Sequence, residues 1–387
     1  MRIAIDIRHL AKQKPSGVGE YTLQILRALF ELDSGDDFIL FSAGSESARR
    51  DCLDNLGTIE IERFRSHVRH IHLSIPNRKL NLQIALTGNP KLDTWVCDEC
   101  GGCDVFFFPN INFITMERTP YVLMLHDASW KLFPDFFTSK DQLAFKLNKP
   151  DKVIKEARAV ITPSLSTRLD AINLLGAPEN NTHVIPHGID HEVFHHKPIP
   201  QDHGIKSKYA LNRPYLLYLG TLEPRKNLQA LLEAFDATRQ NYPELQLVIA
   251  GGSGWKSDKL RQQISNNPNV TYLEYVPAEH RPALYRSAKA VIFPSIYEGF
   301  GLPVLEAMTC GTPVITSHTS SLPEITNDSA LLIDPFNSKD IELAMAQILD
   351  SPQLAQSLRK SGIKQAINFS WKKAAEKTLE VIKKQVH

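Results

Sequence analysis

The sequence predicts an α/β chain folded as two domains in tandem, each a parallel β-sheet with helices packed around it. Short apolar runs alternate with amphipathic segments along most of the chain, the pattern of repeated βα units. That alternation is interrupted by HHKPIPQDHGIKSKYALNRP, a stretch rich in proline, charge and polar residues, and then resumes. A chain of 387 residues also exceeds what one hydrophobic core ordinarily organises.

Composition narrows the classes. Apolar residues make up 42% and charged residues 22%, which suits a packed protein rather than a disordered one. A formal net charge of +1 provides no overall field to gather nucleic acid, and no nucleic-acid partner is expected. No apolar run approaches the roughly 18 residues that span a bilayer. A strand starting at residue 2 leaves no room for a signal peptide, and five cysteines, an odd number, favour reduced thiols. A cytoplasmic location is therefore expected. Cys97, Cys100 and Cys103 have metal-like spacing but no evident fourth ligand. His187, His191 and His195 recur every fourth residue in what reads as a loop. Neither group is expected to bind a metal.

The first domain is expected over residues 1–198, with strands at 2–7, 38–42, 105–109, 121–126, 159–163 and 183–186. Between the first two strands, VGEYTLQILRALFEL carries apolar residues at helical spacing. Residues 45–103 show little clean periodicity and read as inserted loops and short helices. The second domain is expected over 199–370, with strands at 215–219, 246–250, 270–275, 290–293, 313–316 and 330–333. The last segment, 371–387, reads as one amphipathic helix.

Three loops at strand ends carry the chemistry. After the strand at 290–293, SIYEGFGLPVLEAM runs through Gly299 and Gly301 into a helix opened by proline. Such a strand–loop–helix turns backbone N–H groups toward an anion, and the glycines let a ligand approach closely. Glu298 and Glu306 frame this loop, and a carboxylate can accept from two vicinal hydroxyls at once. An acid complementing a helix dipole explains Glu306 alone, not the glycine loop. After the strand at 215–219, Arg225 and Lys226 pair a planar fork with a point charge, a set suited to a diphosphate. After the first strand, Gly17 and Gly19 flank Val18 before a helix, and Asp6 at the strand's end orients that loop. His126 and Asp127 close the strand at 121–126, where side chains line the crevice of a parallel sheet.

The block FPSIYEGFGLPVLEAMTCGTPVITS resembles the E-x7-E motif of retaining nucleotide-sugar glycosyltransferases of family four, which have the GT-B fold. That resemblance implies two Rossmann-like domains with parallel sheets facing across a cleft, the terminal helix crossing back to the first domain. It implies that Glu298 touches the hydroxyls of the transferred sugar and that Glu306 holds the ribose. The loop N–H groups of Gly299, Phe300, Gly301 and Leu302 would bind sugar and phosphate. Arg225 and Lys226 would neutralise the leaving diphosphate, the Gly17–Gly19 loop would face the donor phosphates, and His126 would support charge near the anomeric carbon. Thr221, Val276, Pro294, Ser295, Glu274 and Tyr275 are candidates to line the nucleoside pocket.

No Asp-x-Asp occurs in the chain, so cations of the protein are expected to do the work of a metal, and no cofactor is expected. SGVGEYT and LGTLEPRKNL most resemble bacterial mannosyltransferases that use GDP-mannose to build surface polysaccharide. The implied acceptor is a glycan or polyprenyl-linked glycan, with peripheral contact at the inner face of the plasma membrane through residues 63–91. UDP-glucose, UDP-galactose and UDP-N-acetylglucosamine are alternative donors. A GT-B nucleotide-sugar 2-epimerase and a subunit that has lost its chemistry are the rival classes.

Overall fold

The computed structural model describes residues 1–11 and 16–386. The chain divides into two compact units, one of Met1–Lys131, Ser139–Gly188 and Trp371–His387, the other of Leu132–Thr138 and Ile189–Ser370. No helix among the described residues is long and apolar enough to cross a membrane.

The first unit holds a seven-stranded sheet: β1 (Arg2–Asp6), β2 (Asp37–Ala43), β3 (Val68–Leu73), β4 (Val105–Phe108), β5 (Tyr121–Met124), β6 (Ala159–Thr162) and β7 (Thr182–Val184). Their spatial order is 3-2-1-4-5-6-7, and every pairing is parallel. The second unit repeats this order with β8 (Tyr215–Leu219), β9 (Gln246–Ala250), β10 (Val270–Tyr272), β11 (Ala290–Phe293), β12 (Val314–Ser317) and β13 (Leu331–Ile333). Central strands such as β4, β8 and β11 are buried along their whole length, which is why they read as unbroken apolar runs. Each sheet reverses direction between its first and fourth strands. Parallel sheets receive ligands at such switch points, beyond the carboxyl ends of the strands.

Three expectations are corrected. β3 went unread because VRHIHL is an edge strand whose side chains are mostly half-exposed, so polar residues interrupt its apolar pattern. Otherwise residues 45–103 hold short helices as expected, Glu46–Gly57, Asn77–Thr87 and Leu92–Cys100. Nor is the proline-rich join a plain linker. Its middle is the helix Gln201–Lys208, pinned to the second unit by Arg286, whose Nε and Nη2 meet Asp202 at 2.7 and 2.6 Å. The change of unit therefore falls after Gly188 rather than after residue 198.

The segment Leu132–Thr138 also belongs to the second unit. The Trp255 indole N–H donates to the Phe136 carbonyl at 2.6 Å, and the Phe137 ring stacks on Trp255 at 5.6 Å. The terminal helix, Trp371–Lys383, buries Ala374, Ala375, Leu379, Val381 and Ile382 in the same cluster as Leu23, Leu26 and Phe30 of the helix Gly17–Glu31. It thus completes the core of the first unit, as the family resemblance implied. Truncating the fully buried Ile382 to alanine is expected to cost about 2–5 kcal/mol, read as a lower urea midpoint for unfolding of the first unit. An unchanged midpoint would show that the helix contributes nothing to that core.

Candidate active site

Two loops meet at the switch point of the second sheet, one after β8 and one after β11. The first makes a tight turn at Pro224–Lys226 and reaches the helix Leu228–Thr238 through Asn227, whose φ is +57°. The second passes from Phe293 to Gly301 and enters the helix Leu302–Thr309. A backbone hydrogen bond from Ile296 N–H to the Arg225 carbonyl, 2.9 Å, ties them together.

Glu298 sits where they touch. Its Oε1 accepts from Lys226 Nζ at 2.5 Å and its Oε2 from Arg225 Nη1 at 2.9 Å. The same Nη1 donates to the Tyr297 carbonyl at 2.9 Å, while Nη2 meets Glu223 at 2.7 Å. The Lys226 ammonium also lies 5.1 Å from the centre of the Phe293 ring. Glu298 is 6% exposed, so burial opposes its charge, but the adjacent Arg225 and Lys226 cations hold its carboxyl below the usual range. Its backbone is fixed as well: Glu298 N–H donates to Ser320 Oγ at 2.9 Å, and Ser321 Oγ–H reaches the Glu298 and Phe300 carbonyls at 3.0 and 2.6 Å.

Glu306, on the helix after the loop, is also buried and accepts from the Tyr285 hydroxyl at 2.7 Å. Gly301 has φ +118°, and a Cβ there would come within 2.8 Å of Leu322, so both backbone shape and space demand glycine. Phe300 points its ring at Phe369, 5.8 Å away, which leaves its backbone as the part a ligand can use. Val276 is packed in the core cluster, whereas Thr221 is exposed beside the β8 loop.

In the first unit, Gly17 and Gly19 form the first turn of their helix rather than the loop before it, and Ser16 Oγ accepts from Gly19 N–H at 3.4 Å. Asp6 grips Arg8, with Nε–Oδ1 2.9 Å and Nη2–Oδ2 2.7 Å, and so shapes the chain after β1. His126, just past β5, places Nε2 2.8 Å from the Pro109 carbonyl. Burial lowers its pKa, against the upward pull of that bond and of Asp127.

Three participants were missed in the sequence. Glu223, within the LGTLEPRKNL stretch, completes the charge network, and Tyr285, which sits in no motif and is brought in by folding, orients Glu306. Gly251 did leave a signal, in GGSG directly after β9. Its φ is +146°, and a Cβ would lie 2.0 Å from the Gly220 carbonyl, so the loops after β8 and β9 touch through bare backbone. Among the described residues no set of three or more His, Cys, Asp or Glu could hold a metal ion.

Paired doubly wound domains, one carrying an anion-ready glycine loop beside an acid–base cluster at its switch point, define the architecture of GT-B enzymes. Residues 201–365 match the group 1 glycosyl transferases and residues 15–193 match glycosyltransferase family 4. The chain belongs to this glycosyltransferase family. Over 382 residues it is 29% identical to O-antigen chain mannosyltransferase B of Escherichia coli, covering 95% of this chain and 96% of the relative. It is 27% identical over 241 residues to MMP alpha-(1->4)-mannosyltransferase of Mycolicibacterium hassiacum, covering 61% of this chain and 56% of that one. Among solved structures, HepE of Anabaena in complex with UDP and glucose superposes with a TM-score of 0.74 at 18% identity, covering 99% of this chain and 100% of that one. WaaG, a glycosyltransferase involved in lipopolysaccharide biosynthesis, gives 0.71 at 15% identity, covering 98% and 99%. At these identities the structural likenesses speak for the fold alone.

The Glu298 network has a pH signature. A carboxyl whose pKa falls on folding adds stability that is complete above its unfolded value, about 4.3, and lost as pH drops through the folded value. Glu298→Gln is expected to destabilise the second unit at neutral pH by on the order of 3 kcal/mol, because two cations lose their shared partner. It is also expected to flatten the loss of melting temperature below about pH 4. Thermal melts from pH 6 to pH 3 check both; an unchanged acid slope would mean that Glu298 is not held ionised by its neighbours.

Proposed function

We propose that this protein is a retaining, metal-independent glycosyltransferase that moves mannose from GDP-mannose onto a glycan or polyprenyl-linked glycan in surface polysaccharide synthesis. One observation carries the reading: Glu298 is buried against Arg225 and Lys226 at the β8–β11 switch point, in a loop that opens a helix. A nucleoside diphosphate drawn to those cations competes with Glu298 for them. The carboxylate oxygens released by that exchange become acceptors for sugar hydroxyls. The chain thus neutralises its own phosphate-binding cations until the donor arrives.

With the diphosphate in place, Arg225 and Lys226 stabilise the charge that grows on it as the sugar–phosphate bond breaks. Loop N–H groups from Gly299 to Leu302 add dipoles at the helix start. Glu306, oriented by Tyr285, takes the ribose hydroxyls. Glu298 is ill suited to attack the sugar, since its released oxygens are taken up as acceptors by the sugar's own hydroxyls. That favours a mechanism in which the departing phosphate accepts the acceptor's proton on the face it leaves, which retains configuration. In the first unit, His126 and the Gly17–Gly19 turn keep the roles that the family resemblance implies.

That the Escherichia coli and Mycolicibacterium relatives are both named mannosyltransferases supports mannose as the sugar, and the O-antigen chain of the first supports a polysaccharide as the product. The UDP and glucose bound by HepE favour a UDP-sugar as the competing reading. A cytoplasmic enzyme touching the inner membrane face suits the helix Asn77–Thr87, where exposed Leu82 and Leu86 accompany exposed Arg78 and Lys79.

A thermal-shift panel of GDP, UDP, ADP and their sugars separates the donors, because a ligand of the folded state raises the melting temperature. GDP and GDP-mannose are expected to give the largest shifts, and Lys226→Ala to abolish them. A larger shift with UDP or UDP-glucose would replace the donor. Sugar transfer is expected to survive excess EDTA; loss of activity under EDTA with recovery on adding magnesium or manganese would refute metal independence.

A further inference from the structure

Four aromatic rings from distant stretches of the first unit close around the end of β5. Tyr21, on the helix Gly17–Glu31, meets His126 edge to face, with centroids 4.8 Å apart and planes at 83°. His187, three residues beyond β7, lies 4.6 Å from Tyr21 and 5.7 Å from His126. Trp371, the first residue of the terminal helix, stacks on His187 at 6.0 Å with 22° between the planes, and stands 5.8 Å from Tyr21. Tyr21 and His187 are 3% and 5% exposed.

These contacts bear on how the His126 ring is held. Its Nε2 faces the Pro109 carbonyl, which can only accept, so Nε2 carries the proton and Nδ1 keeps a lone pair. One hydrogen bond fixes one corner of an imidazole but not its plane. The plane is set by what packs on the ring, here Tyr21 and His187, and His187 in turn leans on Trp371. Edge-to-face and stacked pairs favour particular angles beyond simple burial, which suits them to orienting a ring. The cluster lies one strand from the switch point of the first sheet, at the carboxyl end where ligands are received.

We propose that His187, backed by Tyr21 and Trp371, is a positioning residue that sets the orientation of His126 for sugar transfer. The inference rests on the reading that His126 acts beside the transferred sugar, and goes beyond it by assigning how that side chain is aimed. His187 does not touch substrate; it acts through the neighbouring ring. Small misplacements of a group at a reacting centre cost up to about 100-fold in rate, so loosening this support lowers turnover far more than binding.

The experiment measures GDP release from GDP-mannose, with water as acceptor, by His187→Ala, His187→Phe and Trp371→Ala, each normalised to folded protein by circular dichroism. His187→Ala and Trp371→Ala are expected to lower kcat by about 10- to 100-fold, with KM for GDP-mannose within about twofold of the parent. His187→Phe, which restores a flat ring, is expected to recover most of that loss. In histidine-labelled protein, the His126 ring signals should shift or broaden in His187→Ala and return toward the parent in His187→Phe. Full activity in His187→Ala, or equal loss in the phenylalanine and alanine variants, would overturn the proposal. So would ring signals of His126 that ignore the substitution. His126→Ala is run alongside: if it turns over normally while the ring signals respond to His187, the role assigned to His126 fails and the ring support stands.

Discussion

A carboxylate buried against two cations organises the second unit. Glu298 can remain ionised away from water only because Arg225 and Lys226 reach it from the loop after the neighbouring strand. The adjacency of β8 and β11, the tight turn at Pro224–Lys226 and the hydrogen bond from Ile296 to Arg225 together bring the cations to it. Serines gather nearby as well. Ser320 and Ser321 hold the backbone of Glu298 from the β12 side, so the acid is anchored by main chain and side chain together. A pair of buried charges is a costly way to gain stability. In the proposed function the return lies elsewhere, in two cations held in register for a more highly charged guest.

Most of the fold was legible because parallel sheets write themselves plainly. Central strands are covered on both faces, so β8, β9 and β11 appear as apolar runs whose limits agree with the sequence reading. Strand β3 did not, since an edge strand with half-exposed histidine and arginine carries no such pattern. The helix Gln201–Lys208 was hidden for a related reason: its tie to the second unit is the ion pair of Asp202 with Arg286, 84 residues away, rather than an apolar stripe. Charge alone, read locally, looks like linker.

The site was legible to the extent that it is local. Glu298, Gly301 and Glu306 stand in one strand–loop–helix, and Arg225 and Lys226 in another, so spacing and residue type expose them. Glu223 is as local as its partner Arg225, two residues on, and carries no separate signal, whereas Tyr285 joins through folding, across a helix–helix contact from Glu306. The glycines divide along the same line. Gly301 could be picked out from its loop, whereas the need for Gly251 arises from the carbonyl of Gly220, which belongs to the loop after β8.

The terminal helix has a bearing on how the chain is made. Ala375 and Ile382 fill a core whose remaining walls are built from residues between Ile3 and Ile185. A ribosome therefore emits residues 1–370, the second unit among them, before the first unit receives this helix, while the second unit, apart from Leu132–Thr138, is contiguous and can finish sooner. Synthesis order and maturation order run opposite to each other. The apolar surface that awaits this helix is left uncovered on the nascent chain until residues 371–383 have emerged.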